Sequence, residues 1–167
     1  ASISGRKAVN GYGLANKPGM AASPPDIETA VGPVDNSAEG VLVIDGSIPL
    51  PGLGIIREPI TLKVSKGFIT SIEGGQEAKL LEKSLRDMND DRVFQIGEIG
   101  FGMNKGASIS GRMLEDEGVF GTAHIGIGNN LAYGGDNSTP IHIDLIMKEP
   151  TYVVDGKTIF GNGSIIF

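Results

Sequence analysis

Residues 140–147 read Pro140-Ile-His-Ile-Asp-Leu-Ile-Met147, PIHIDLIM, an apolar run interrupted by His142 and Asp144. Its length, its isoleucines and the proline in front of it predict a strand buried on both faces. In a strand, residues two apart project to the same side. His142 and Asp144 therefore point together, with Cα atoms roughly 7 Å apart by strand rise, and can converge on one ion. Ile143 and Leu145 point the other way, into a core. An imidazole hydrogen-bonded to its neighbouring carboxylate is the plainer reading of the pair. The rest of the chain has to decide between them.

Outward from this strand, the chain alternates short apolar runs with turn residues. Glu39–Ile48 is a strand that stops at Asp45-Gly46. Ile60–Glu73 is a hairpin turning at Lys66-Gly67. Gly75–Asn89 is the one clear helix, with Ala78, Leu81, Leu85 and Met88 on one face. Arg92–Asn104 and Gly121–Asn130 are strands, Asn130–Pro140 is a loop, and Thr151–Phe167 is a closing hairpin around Asp155-Gly156. Residues 1–37, rich in Gly, Pro, Asn and Ser, read as an irregular segment laid over the scaffold. The fold class predicted is α+β: a sheet-dominated single domain over 1–167 with several hairpins and one main helix. The hexapeptide ASISGR occurs at 1–6 and again at 107–112, with no chemistry attached to it.

Composition narrows the function. Of 167 residues 26 are glycine and none is cysteine, so disulfides and thiolate metal sites are excluded, and many turns and close backbone approaches are expected. The net charge of −6 comes without a basic cluster, which gives no electrostatic support for nucleic acid or an anionic membrane. No apolar run is long enough for a membrane-spanning helix, and none resembles a signal core, so a cytoplasmic location is expected.

Two further strands carry polar groups. His124 in TAHIGIGN shares its face with Gly126 and Gly128, which clears room for a ligand or for another backbone. Glu98 continues a face begun by Phe94 and Ile96. A carboxylate there must find a partner, either a metal or a distant arginine, because an isolated buried charge is too costly. Glu28 lies in a proline-rich stretch, SPPDIETAVGP, where a solvated loop carboxylate is the bland reading. Glu115, Asp116 and Glu117 form an acidic cluster that reads as a solvated turn or helix start.

In order along the chain, PPDIETAVGPVDNSAEGVLVIDGSI, ITSIEGG, GEIGFGMN, MLEDEGVFGTAHIGIGNN, GGDNSTPIHIDLIM and PTYVVDG resemble the catalytic domain of the aminopeptidase T/S family of metallopeptidases. The resemblance implies five ligands of a two-metal site, which fall on Glu28, Glu98, His124, His142 and Asp144. It also implies Glu98 as general base. The expected cofactor is one or two divalent ions, zinc first, with cobalt, manganese or iron as alternatives. The expected activity is removal of N-terminal residues from peptides by a metal-activated water. The expected partners are a peptide or small-molecule substrate and, for assembly, a second copy in a homodimer.

Two departures stand out. The family's N-terminal domain is expected to be absent ahead of this stretch. The tyrosine that the family places seven residues after the first histidine is replaced by Leu131, with Tyr133 two residues further on as the candidate catalytic tyrosine. Ring-cleaving dioxygenases of dihydroxypyridines are similar to the family in this domain. His124, His142 and Asp144 alone have the two-histidine, one-carboxylate composition of a mononuclear iron site, which is the alternative function. A non-catalytic domain that keeps the fold is the third reading.

Overall fold

The computed structural model describes residues 1–161 and 163–166. Its strands are β1 (Val9–Gly11), β2 (Glu28–Val31), β3 (Gly40–Ile44), β4 (Ser47–Ile48), β5 (Gly54–Ile55), β6 (Ile60–Ser65) and β7 (Phe68–Glu73), then β8 (Ile96–Gly102), β9 (Thr122–Gly128), β10 (His142–Lys148), β11 (Tyr152–Val154), β12 (Lys157–Gly161) and β13 (Ser164–Ile165). Helix α1 (Gln76–Arg86) follows β7, and the single turn α2 (Met113–Asp116) precedes β9. This is the α+β, sheet-dominated architecture with one main helix that the sequence predicts. Asn162 and Phe167, which belong to the closing hairpin expected over Thr151–Phe167, lie outside the described residues.

The central sheet is antiparallel throughout, in the order β1-β2-β8-β9-β10. Over it lies a second sheet, β3-β6-β7, backed by α1. Between them sit Ile125, Ile127, Ile143 and Leu145 from the central sheet, with Ile44, Ile60, Leu62, Leu81 and Leu85 from the other layer. Burying each such side chain stabilises by ~1.5–3 kcal/mol. The core is therefore complete on one face of β9 and β10, and the opposite face is free to carry polar groups. Gly46 donates its N–H to the Ile146 carbonyl at 2.9 Å, which covers the outer edge of β10.

The hairpin β6–β7 turns at Lys66 and Gly67, both at positive φ (48° and 78°), the mirror-image turn that matches strand twist. Ala78, Leu81 and Leu85 form the buried face of α1, as their spacing predicts. Two expectations change. Residues 1–37 are not irregular throughout, since they contribute β1 and β2 to the central sheet. The face expected to run Phe94, Ile96, Glu98 is broken. Phe94 ends a turn of 3-10 helix, and a bulge lies between Ile96 and Glu98. A bulge re-aims the side chains that follow it, so Ile96 joins the core whereas Glu98 does not.

Candidate metal centre

Strand register assembles the site. Glu98, Gly126 and Asp144 lie in one row across β8, β9 and β10. His124 is paired with Gly100 on β8, and His142 with Gly128 on β9. Glu28 opens β2, opposite Gly102. It is a strand residue with a side chain only 10% exposed, not the solvated loop carboxylate of the bland reading.

The glycines are required here. A Cβ on Gly100 would lie 2.1 Å from His124 Nε2, and one on Gly126 would lie 2.6 Å from His142 Cε1 and 2.7 Å from Glu98 Cβ. Any larger residue would occupy the space in which the side chains meet.

His124 Nε2 lies 2.9 Å from Glu28 Oε2 and 3.3 Å from Glu98 Oε1. His142 Nε2 lies 2.7 Å from Glu98 Oε2 and 3.2 Å from Asp144 Oδ1. Glu98 thus stands between the histidines, one oxygen toward each. The donor atoms form two overlapping groups, Glu28-Glu98-His124 and Glu98-His142-Asp144. Each holds one histidine and two carboxylates. The set His124, His142 and Asp144, expected for a mononuclear site, is not a group by itself.

Hydrogen bonding says what these atoms lack. His142 Nδ1 donates to the Asn129 carbonyl at 2.6 Å, which leaves Nε2 with a lone pair when the ring is neutral. That lone pair faces carboxylate oxygens that offer no proton. His142 Nε2, Glu98 Oε2, Asp144 Oδ1 and Glu28 Oε2 are all buried without a hydrogen-bond partner. Acceptors turned toward acceptors in a buried site need a cation between them.

Protons can meet that need in part. Burial alone would lower His124, yet the Glu28 and Glu98 carboxylates override it and push it up to about 10. Burial is likewise overridden at His142 by Asp144 and Glu98, and it rises to about 11. A divalent cation supplies the same charge to the same atoms. The residues present therefore fit a metal, and a site of Glu, Asp and His donors is what the fold builds.

Sequence reading missed several members of the surroundings. Glu117, assigned to a solvated cluster, is 8% exposed, and burial together with neighbouring Asp144 pushes it up to about 9. Asp26 rises to about 6 through burial and then Glu28. Its position two residues before Glu28 on an extended segment was the available signal. Asp116 is fully buried, but for a different purpose described below. Tyr133 stacks on His142, with ring centroids 5.4 Å apart and planes at 26°, whereas Leu131 is 54% exposed. A turn of 3-10 helix over Leu131–Tyr133 sends the first outward and the second onto the site.

Fold and site together define an antiparallel-sheet domain with a buried cluster of Glu, Asp and His donors that fits a metal ion. The family model of NicX, 2,5-dihydroxypyridine 5,6-dioxygenase, matches residues 1–167, and the chain belongs to that family. It is 34% identical over 169 residues to the 2,5-dihydroxypyridine 5,6-dioxygenase of Pseudomonas putida, covering 95% of this chain and 48% of that protein. The chain thus spans about half the length of this curated relative.

Among solved structures, the 2,5-dihydroxypyridine dioxygenase of Pseudomonas putida superposes with a TM-score of 0.82 at 32% identity, over 96% of this chain and 49% of that one. The structure of AmpT from Thermus thermophilus superposes with a TM-score of 0.74 at 21% identity, over 99% of this chain and 46% of that one. This second likeness shows the fold alone.

These findings correct the expected activity. The aminopeptidase, hydrolase and metallopeptidase readings are overturned by the family match and by the dioxygenase relative. The ligand motifs misled because the sheet that carries them is common to both kinds of protein, while reaction class depends on the metal and the surrounding loops. Zinc, expected as part of the peptidase reading, has no support apart from it. Among the described residues no helix is long and apolar enough to cross a membrane.

Proposed function

We propose that this chain is the metal-bearing part of a ring-cleaving dioxygenase acting on a dihydroxypyridine or a closely similar aromatic diol. The observation that carries the reading is the match of a dioxygenase family along the whole chain, joined to a buried site whose unpartnered donors seek a cation. The metal proposed is iron in its divalent state. His142, Asp144 and Glu98 would hold it, because this group opens outward: the His142 side chain is 24% exposed and that of His124 is fully buried. His124 and Glu28 adjoin through the shared Glu98 and would complete the set or hold a second ion. Such an iron, when bound, supplies the one-electron chemistry by which an aromatic diol reacts with dioxygen.

The chain's own residues do the rest. Tyr133, stacked on His142, offers an aromatic face beside the donors. A flat aromatic substrate packs against such a face at little entropic cost. The Tyr133 hydroxyl is held well above its usual pKa, by burial and then by the charges of Glu98 and Glu28, and so stays protonated as a donor. Glu28, outside the group that would hold the iron, would take a proton from a substrate hydroxyl. The partner implied is a small aromatic molecule.

Oxygen uptake by the iron-loaded chain with 2,5-dihydroxypyridine tests the reading. Uptake with both atoms of labelled dioxygen recovered in a ring-opened product is expected. Iron bound at the site with no oxygen uptake for any dihydroxypyridine overturns it.

A further inference from the structure

The N-terminal copy of the repeated hexapeptide has a partner that its sequence does not announce. Residues 1–6 are clipped to the segment after β2: Val34 N–H donates to the Ser2 carbonyl at 2.8 Å, and Ser2 N–H donates to Ser37 Oγ at 3.0 Å. Gly5, at φ 74°, turns the chain so that Arg6 points inward. One arm of its guanidinium donates to Asp35 Oδ2 at 2.7 Å, and the other donates to the carbonyl of Gly134. Only 16% of the Arg6 side chain is exposed.

Asp35 is a junction. Its other oxygen accepts from Gln95 Nε2 at 3.0 Å and from Asn130 Nδ2 at 3.3 Å. Asn130, 1% exposed, accepts in turn from Asn137 N–H at 2.8 Å, which closes the loop 129–139 on itself. Arg6 and Asp35 therefore grip this loop at Asn130 and at Gly134. Two functional elements lie at those grips. Asn129, next to Asn130, presents the carbonyl that holds His142 Nδ1. Tyr133, next to Gly134, lies on the His142 ring.

We propose that Arg6 is a positioning residue for the metal centre, acting through Asp35, Asn130 and Gly134 on the loop that orients His142 and Tyr133. A guanidinium suits the task because its planar fork reaches two acceptors at once, which an ammonium does not reproduce. The second copy of the hexapeptide is used differently. Its Ser110 and Gly111 N–H groups donate to Asp116.

The inference rests on the metal-centre reading and not on which reaction follows. The test compares R6K, R6A and D35N with the parent chain. Divalent manganese and iron affinities are measured by anaerobic competition with a chromophoric chelator, and His142 is followed by imidazole nitrogen NMR. R6A is expected to weaken metal binding about tenfold, the lower end for outer-shell partners, and to shift the His142 nitrogen signals. D35N should act in the same direction. R6K, which keeps the charge and loses the fork, should fall between R6A and the parent. R86A, on the exposed face of α1, should change neither readout.

Parent-like affinity and parent-like His142 signals in R6K and D35N overturn the proposal, whatever happens to melting temperature, and make Arg6 a structural clamp only. R6K and D35N also decide the matter if R6A does not fold. Failure of the parent chain to bind either metal overturns the proposal together with the metal-centre reading. Normal metal binding without oxygen uptake overturns the dioxygenase reading alone.

Discussion

Among the described residues, carboxylates are buried at two places whose surroundings differ. Asp116 is fully buried and satisfied: it accepts from Ser47 Oγ, from the Ser110 N–H at 2.6 Å and from the Gly111 N–H at 2.8 Å. Glu98 and Asp144 are as deeply buried, at 1% and 2% exposure, yet Glu98 Oε2 and Asp144 Oδ1 have no donor while His142 is neutral. Burial of a charge is common to both. What separates an anchor from a site is whether the protein supplies the positive hydrogen-bonding partners itself. Asp116 ties a loop to β4 with donors that the protein supplies, whereas the Glu98 cluster needs added positive charge, either protons on both histidines or a metal ion.

The comparison can be broken most sharply at the ligands. Asp144→Ala and Glu98→Ala should each reduce divalent-metal affinity by about a hundredfold or more, at least the largest loss seen for outer-shell partners. The metal-free proteins should also melt below the parent, because each change takes a carboxylate away from a buried, protonated histidine. Calorimetric titration and thermal melts read both. Parent-like metal affinity in either variant would make these residues structural anchors like Asp116.

Next in size is the clearance between the strands. Gly100→Ala places a methyl where His124 Nε2 sits, and it should lower metal affinity at least about tenfold while the core stays folded. Elemental analysis alongside circular dichroism checks it.

Asp116→Ala should do the reverse. It leaves buried donors unpaired and should cost about 3 kcal/mol, or about 6–12 °C in Tm for a chain of this size. Metal stoichiometry of the folded fraction should be unchanged.

The smallest effect concerns protons. His124 and His142, raised to about 10 and about 11, carry protons at neutral pH in the metal-free state. Metal must displace them, so affinity should rise with pH through the neutral range, with about one proton released per histidine engaged. Titration calorimetry in buffers of different ionisation enthalpy measures the count. No proton release would mean that the histidines are not ligands.

Much of this was legible in the chain. Alternation within PIHIDLIM placed His142 and Asp144 on one face, and the glycines around His124 marked a cleared space, because strand periodicity is a local property of the backbone. The acidic cluster at 115–117 was not legible. Asp116 is buried by serines at 47 and 110, and Glu117 by its approach to Asp144, and neither contact leaves a mark in local sequence. Tyr133 could be named but not placed, since a 3-10 turn rather than spacing sends it onto His142. The expected peptidase activity failed for a related reason: five ligand-type residues describe a metal-binding sheet, not a reaction.

The sequence by itself determined the hairpin β6–β7, the one amphipathic helix and which side of β9 and β10 is polar, because these follow from side-chain period and turn chemistry. Only the tertiary structure decided that Glu28 is on a strand, that a bulge turns Glu98 out of the core, and that Glu98 faces both histidines. Each depends on how separate strands are registered against one another, a long-range pairing that no short window of residues encodes.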